Sequence, residues 1–165
     1  NGNLSGTKDW EWGNVAFKKG KNCGTSAATG PSKGNSGMGL WGTKLNDCYS
    51  PLGNEGTACT NPSLKNDSVL TMKVKIPGTW KSAKLQFYQW YDVNLYFDWT
   101  EIRVDGKVVG QTCTGSKPTS PTWKKRSVNL SKYAGKIITI KFIFMASTVV
   151  QYSGWYLDDL SITGS

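Results

Sequence analysis

The acidic side chains are the residues of this chain with the most capacity for catalysis. The sequence has no histidine, which excludes Ser-His-Asp and Cys-His mechanisms and histidine-based metal centres. Two carboxylates that flank a glycosidic bond could still hydrolyse it. No such pair is predicted to face one cleft, because most of the acids lie in turns or polar loops, so we expect a protein that is not an enzyme. The eleven acidic residues are Asp9, Glu11, Asp47, Glu55, Asp67, Asp92, Asp98, Glu101, Asp105, Asp158 and Asp159.

Asp158 and Asp159 lie side by side in the last predicted strand, an arrangement that favours a structural calcium ion. Neighbouring strand residues point to opposite faces, so one carboxylate would face the core, where it is costly without a cation or several donors. Calcium prefers several oxygen ligands. Glu11, Asp98 and Asp9 are the expected companions, because the first and last strands of a β-sandwich often pair. The alternative is that the inward carboxylate accepts backbone amides or meets a lysine.

Aromatic side chains are the second feature with functional meaning, since the chain has eight tryptophans and seven tyrosines. Sugars stack on flat aromatic faces, and two successive predicted strands each carry rings beside hydrogen-bonding groups. This composition predicts a carbohydrate-binding face. The alternatives are that a loop or a neighbouring domain covers the rings, that they fill the core in a changed register, or that the site lies near residues 123–126. The predicted ligand-binding residues are Gln86, Tyr88, Trp90, Trp99, Glu101, Arg103 and Lys141.

The charge of the chain points to the kind of partner. Twenty basic and eleven acidic residues give a net charge of +9, which favours an anionic partner such as an acidic polysaccharide or cell-surface glycan. Arginine can bind a carboxylate or sulfate through two hydrogen bonds. Nucleic acid is not expected, because no nucleic-acid motif accompanies the charge. Solubility alone is the alternative explanation of the charge.

Four scattered cysteines indicate an oxidising compartment. Cys23, Cys48, Cys59 and Cys113 form no CxxC pair, so redox and zinc motifs are absent from the sequence and structural disulfides are expected. Ten turn-rich residues separate Cys48 from Cys59, which makes that pair the preferred one and leaves Cys23 with Cys113. No apolar run is long enough to span a bilayer. The polar start is not a signal peptide, so we expect a secreted module of a longer protein.

Alternating apolar and polar residues predict an all-β fold. Asp105-Gly106 stands between two such runs and predicts a type I′ hairpin. Helical periodicity does not extend beyond one turn around residues 131–134. The number and spacing of the runs favour an antiparallel two-sheet sandwich of jelly-roll type, forming a single domain over residues 1–165. The predicted strands include residues 70–76, 83–90, 101–104, 107–109, 123–130, 137–146 and 155–163.

The C-terminal stretch Gly154-Trp155-Tyr156-Leu157-Asp158-Asp159-Leu160-Ser161-Ile162 resembles the closing strand of MAM-like jelly-roll domains. Such domains occur on secreted bacterial proteins, among them immune-inhibitor-A-type metalloproteases and related surface proteins. The resemblance implies an extracellular accessory domain without catalysis of its own. Together with the aromatic face, it favours a carbohydrate-binding module that targets an attached secreted enzyme; the alternative is a protein-interaction or adhesion module of a secreted protease or surface protein. Further pieces that agree in order are Leu40-Trp41-Gly42-Thr43, Ser68-Val69-Leu70 and residues 128–135.

Overall fold

Ten β-strands form two five-stranded antiparallel sheets in the computed structural model, which describes residues 3–17, 22–23, 28–53, 67–112 and 121–165. The first sheet has the order β1-β4-β9-β6-β7 and the second has the order β2-β3-β10-β5-β8. The strands are β1 Asn3–Gly6, β2 Trp10–Asn14, β3 Gly39–Thr43, β4 Ser68–Lys75, β5 Ala83–Asp92, β6 Trp99–Val104, β7 Lys107–Thr112, β8 Lys124–Asn129, β9 Ile137–Met145 and β10 Gly154–Gly164.

The chain crosses from one sheet to the other at most of its connections. Within the described part, only β2–β3 and β6–β7 are successive strands that pair with each other. This crossing pattern between two antiparallel sheets confirms the predicted sandwich of jelly-roll type. One 3-10 turn, Ser131–Tyr133, follows β8, and the described residues contain no helix long and apolar enough to cross a membrane.

The core between the sheets is built from the alternating apolar residues that predicted the strands. Phe87 of β5 meets Phe142 of β9 edge to face at 5.3 Å, and Phe142 in turn meets the fully buried Trp155 at 6.0 Å. Edge-to-face contacts of this kind add to the energy of burial. At one end, Tyr49 packs against Phe144 in the same way at 4.9 Å. The two sheets therefore share one hydrophobic core.

The β6–β7 hairpin confirms the type I′ turn expected from the sequence. Asp105 has φ of 47° and Gly106 has φ of 80°, and a type I′ turn requires positive φ at both central positions. The Asp105 carboxylate accepts a hydrogen bond from the Thr139 amide at 2.8 Å, which fixes the turn against β9.

The disulfide differs from the pairing expected from the sequence. Cys23 is bonded to Cys48, with their Cα atoms 5.7 Å apart, so the predictions of Cys48 with Cys59 and of Cys23 with Cys113 are wrong. Short sequence separation was a poor guide, because Cys23 packs with Phe17 and Ala28 in a small apolar cluster that Cys48 also contacts. Cys59 and Cys113 lie outside the described residues.

Candidate functional site

The structure divides the predicted ligand-binding residues between the two outer faces of the sandwich. β5 lies in the second sheet and β6 in the first, so their outward side chains are separated by the whole core. One sugar cannot contact both groups. The second sheet presents Gln86, Tyr88 and Trp90, whereas the first presents Trp99, Glu101, Arg103 and Lys141.

Two of the predicted aromatic rings are buried. Trp90 is 4% exposed and packs edge to face on Tyr156, while its indole N–H donates to the carbonyl of Pro121 at 3.1 Å. Trp123 packs against the same cluster, so a loop covers this ring. Trp99 is fully buried on the outer side of the first sheet. Tyr88, half-buried, is the predicted ring that remains accessible.

On the first sheet, the predicted polar residues bind one another. Arg103 donates to Glu101, with its guanidinium Nη2 2.6 Å and its Nε 2.7 Å from the same carboxylate oxygen. Lys141 is exposed and lies directly opposite Arg103 on β9. Since Glu101 already occupies the guanidinium, this group is less available to a ligand than the sequence suggested.

The five acids expected to hold calcium do not form one cluster among the described residues. β10 pairs with β3 and β5 rather than with the first strands, so β3 separates it from Glu11 on β2. Glu11 accepts the Leu45 amide at 2.9 Å, and Asp9 accepts the backbone amide and hydroxyl of Ser50. The described residues contain no group of three acids arranged for a metal ion. Bound calcium stays a prediction of the sequence.

Asp98 sits at the end of the sandwich where β5 ends. Its carboxylate accepts the Ser147 amide at 2.7 Å and the Tyr49 hydroxyl. Burial raises the pKa of Asp98 and also raises that of Tyr49 well above its ordinary value. These contacts join the loops before β6 and after β9.

A β-bulge resolves the problem of two adjacent acids in β10. The register of β10 against β5 shifts between Asp158 and Ser161, and Asp159 adopts a left-handed φ of 52°. A bulge re-aims side chains in this way. Leu157 and Leu160 on either side both face the core, so neither carboxylate enters it. The expectation that one Asp faces the core is therefore corrected.

The two carboxylates instead fasten the loop that precedes β3. Asp158, 6% exposed, accepts the amides of Ser36 at 3.1 Å and of Asp159 at 2.8 Å. Asp159 accepts the side-chain amide of Asn35 at 2.8 Å and the hydroxyl of Ser36. Gly34 is required beneath the loop, because a Cβ there would lie 2.7 Å from Asp158 Oδ2. The bulge and this loop form one wall of a groove.

The groove opens where β3 parts from β10. β10 pairs with β3 only at Tyr156 and Leu157, and a cavity lies beside the next residues of β10. The cavity there has a volume of about 380 Å³. Its base is apolar and its loop wall is polar. The residues that line it include Leu4, Trp12, Met38, Trp41, Asp159 and Leu160.

Two tryptophans form the aromatic wall of this groove. Trp12 lies directly opposite Trp41 in the β2–β3 pair, with ring centroids 5.7 Å apart and planes tilted by 51°. Trp12 is 61% exposed, although its strand position faces inward. Gly39 leaves room for it, since a Cβ there would lie 3.0 Å from the Trp12 ring. β2 is an edge strand. It buries the indole of Trp10, and the indole of Trp12, the next inward-facing residue, therefore reaches solvent.

A second cavity continues along the same open side. It has a volume of about 390 Å³, lies between β4 and β10, and shares Leu160 with the first. Trp80, partly buried, and Met72 line it. The combined groove therefore runs from Trp12 toward the β4–β5 connection and carries three tryptophans.

Sequence reasoning missed this groove because Trp12 has the inward parity of a core residue. The available signal was the pair of tryptophans in Trp10-Glu11-Trp12. Both indoles have the same parity in one short strand, and an edge strand of that length does not bury two of them. The charged residues that line the two cavities are Asp158, Asp159 and Lys75, and the acids lie at the Trp12 end.

Comparison with known proteins gives a likeness of fold. No protein-family model and no curated protein matches the chain. The K1 cleaved adhesin domain of Lys-gingipain from Porphyromonas gingivalis W83 is 14% identical, with a TM-score of 0.53 over 98% of this chain and 90% of that one. The K3 domain of the same protein is 14% identical, with a TM-score of 0.51 over 95% and 92%.

TmCBM61 in complex with β-1,4-galactotriose is also 14% identical, with a TM-score of 0.48 over 99% of this chain and 88% of that one. The MAM-like resemblance stays a prediction of the sequence. The chain has the β-sandwich fold of the K1 and K3 adhesin domains.

Proposed function

We propose that this chain is a non-catalytic carbohydrate-binding module whose groove holds a neutral glycan chain. The observation that carries the proposal is the exposed Trp12 indole, set beside Trp41 and facing a wall that carries Asp159. An exposed tryptophan leaves apolar area in water, and stacking on a sugar ring removes it. A polar wall supplies the hydrogen bonds that orient a sugar.

The charge of the groove favours a neutral sugar here. Asp158 and Asp159 lie at the end that carries the tryptophan pair, and Lys75 lines only the second cavity. A carboxylated or sulfated sugar beside Trp12 would meet like charges, which are repulsive at close range. Hydroxyl groups, by contrast, donate to carboxylate oxygens.

The length of the groove favours an extended chain over a single sugar. The second cavity reaches from Met72 to Pro77 of the β4 segment, roughly 17 Å at 3.3 Å per residue. Trp80 would offer a further stacking surface there. A ligand of several sugar units would therefore contact Trp12 at one end and Trp80 toward the other.

The disulfide supports an extracellular setting for this function. Cys23–Cys48 is a bond that forms and persists in oxidising compartments. We propose that the module is secreted and directs an attached enzyme to a polysaccharide or cell-surface glycan. In this role the module binds the glycan and catalyses no reaction itself.

One observation favours the alternative of a protein-interaction or adhesion module. Tyr96 is 65% exposed and Phe97 is 40% exposed in the turn before β6, and Val149 is exposed in the loop after β9. Asn94 holds this turn through the amides of Tyr96 and Phe97. Exposed apolar groups on a fixed turn suit a protein partner.

Replacement of Trp12 by alanine tests the glycan proposal. We expect Trp12→Ala to weaken binding of neutral polysaccharides or oligosaccharides by about tenfold, because stacking on one ring contributes on the order of 1 kcal/mol or more. The measurement is affinity electrophoresis over a panel of neutral glycans, followed by calorimetry on the best ligand. Trp80→Ala should weaken long oligosaccharides and leave the shortest binder unchanged.

Tyr96→Ala is the matched variant, since it removes an equally exposed ring at a distant end of the sandwich. It should leave glycan binding unchanged and the fold intact. If no neutral glycan binds the wild type, or if Tyr96→Ala and not Trp12→Ala abolishes binding, the groove is not the glycan site.

A further inference from the structure

We propose that the outer face of the second sheet is a separate site for an anionic glycan. Its centre is β5, where Lys84, Gln86 and Tyr88 point outward between inward residues that fill the core. This face lies on the far side of the sheet from the core and does not include the tryptophans of the groove. Asp158 and Ser161 of β10 border both this face and the groove, whereas the stacking rings of the groove lie outside this face.

Three strands present their side chains here in matching rows. β8 places Asn129, Ser127 and Lys125 directly opposite the three β5 residues. β10 places Thr163, Ser161 and Asp158 opposite them on the other side. Directly paired residues on one face of a sheet have Cβ atoms about 5 Å apart. The result is a continuous polar surface about three strands wide.

The neutral groups on this surface are available for hydrogen bonding. Gln86, Ser127 and Thr163 have no hydrogen-bond partner for their side chains within the described ranges. Asn129 uses its carbonyl oxygen on the Ser131 amide at 2.9 Å and keeps its NH₂ group. Short amides and hydroxyls in rows are complementary to the hydroxyls of a sugar.

A cavity lies at the Lys84 end of these rows. Its volume is about 600 Å³, the largest of those described above, and it is open to solvent. Hydroxyl and amide side chains make up nearly all of its polar lining. The residues with free polar groups around it are Lys84, Ser127, Asn129 and Thr163.

The charge on this face is positive. Lys84 and Lys125 are exposed, and neither has an ion-pair partner among the described residues. The buried carboxylate of Asp158, at the Tyr88 end of the rows, offsets one of these charges, and the two lysines leave the face with a net positive charge. Lys84 and Tyr88 are four residues apart, about 13 Å, so the two lysines mark the two ends of the rows. Anionic groups about two or three sugar units apart would meet both.

These groups suit an anionic sugar better than a nucleic acid. Single-stranded nucleic acids bind on series of stacking rings, and these rows contain one aromatic ring, that of Tyr88. The disulfide also indicates an extracellular setting. An acidic polysaccharide offers both the carboxylate or sulfate groups and the hydroxyls that the rows would bind.

The test uses polygalacturonate and its fully methyl-esterified form, which differ in charge and share a backbone. We expect the wild type to bind polygalacturonate and not the ester, with binding weakened by added salt. Lys84→Gln/Lys125→Gln should lower the affinity roughly tenfold. The matched control is Lys73→Gln/Lys141→Gln on the outer face of the first sheet, which changes the net charge equally and should change affinity less than about twofold.

A second variant distinguishes a specific binding site from non-specific electrostatic attraction. Gln86→Ala changes no charge, so a weaker affinity for polygalacturonate would show that hydrogen bonds at this face take part. Dextran sulfate and dextran, run in parallel, distinguish sulfate from carboxylate recognition. Trp12→Ala should leave all of these results unchanged, which separates this site from the groove.

Several results would overturn the proposal. Equal losses in the two lysine pairs would mean attraction by net charge alone. Equal binding of the methyl ester would remove the role of the anion. Absence of binding to both polygalacturonate and dextran sulfate would exclude the site, and tighter binding of single-stranded DNA that depends on Lys84 and Lys125 would assign the face to nucleic acid.

Discussion

Asp67 is a half-buried carboxyl group just before β4, beside the Glu101–Arg103 pair. Burial raises its pKa to about 6, while Lys8 and Arg103 lower it and Glu101 raises it. Its Oδ1 has no hydrogen-bond partner within the described residues. Folding thus places this carboxyl where its neutral form is favoured.

The expected consequence is a fall in stability as the pH rises from about 4 to about 6. The folded state holds the Asp67 proton more tightly than the unfolded chain, whose carboxyl has a pKa near 3.8. The associated stability is complete below that value and lost as the pH passes the folded pKa. Thermal unfolding of wild type and Asp67→Asn between these limits should give curves that diverge, with the variant less sensitive to pH.

Part of the change of stability with pH should remain in Asp67→Asn, because burial also raises the pKa of Asp98. Melting temperatures that run parallel for the two proteins across this range would show that Asp67 does not titrate differently in the folded state.

Individual residues show which parts of the candidate site could be predicted from the sequence and which could not. Alternation correctly placed Tyr88 and Trp90 on the outer side of their strand. It could not reveal that Pro121 and Trp123, some thirty positions later, cover the Trp90 ring. Trp12 has inward parity in its strand, and local alternation could not show that an edge position leaves its ring exposed. Burial depends on distant residues, which local periodicity does not contain.

At the scale of elements, the bulge in β10 and the loop before β3 depend on each other. Asp159 keeps a left-handed backbone that ordinary residues rarely adopt, and its carboxylate is held by Asn35 and Ser36. The strict alternation used on the sequence has no place for an extra residue. For that reason it predicted a carboxylate in the core, where the chain instead has Leu157 and Leu160.

Gly34→Ala tests this coupling between bulge and loop. The added methyl would lie 2.7 Å from Asp158 Oδ2, so the loop must move away from the carboxylate. We expect a loss of about 1–3 kcal/mol in unfolding free energy, as for other overpacked sites, measured by urea denaturation. Binding in the groove should weaken as well, because Ser36 and Met38 line it.

Gly110→Ala provides the comparison for that variant. Its Cβ would meet Ile102 at an ordinary 3.4 Å, and Gly110 has no positive φ, so little change is expected. If Gly34→Ala is as stable as Gly110→Ala, the loop is not held tightly against Asp158.

At the scale of the whole molecule, the order of the strands in the two sheets could not be predicted from the sequence. The strands and the hairpin followed from period-two patterns and from Asp105-Gly106. Which sheet each strand joins is not written in such patterns, because β5 and β6 alternate in the same way and lie in different sheets. For that reason the ligand-binding residues predicted to share one face lie on two opposite faces of the sandwich.

The Cys23–Cys48 bond should stabilise the whole fold. It joins residues 25 positions apart, and closing a loop of that length restricts the unfolded chain by about 3 kcal/mol. Cys23→Ser/Cys48→Ser should lose roughly that amount in chemical denaturation. Peptide mapping without reduction should yield the Cys23–Cys48 peptide and will also report the state of Cys59 and Cys113. A Cys48–Cys59 peptide would contradict the pairing.

β8 forms an outer edge of the second sheet, and three successive residues of that edge are Lys124, Lys125 and Arg126, all exposed. An open strand edge can pair with the edge of another molecule, which is a route to aggregation. Two such edges brought together would place six cations side by side, and their repulsion opposes this pairing. Many copies of the domain could therefore crowd on one surface without their sheets fusing along β8.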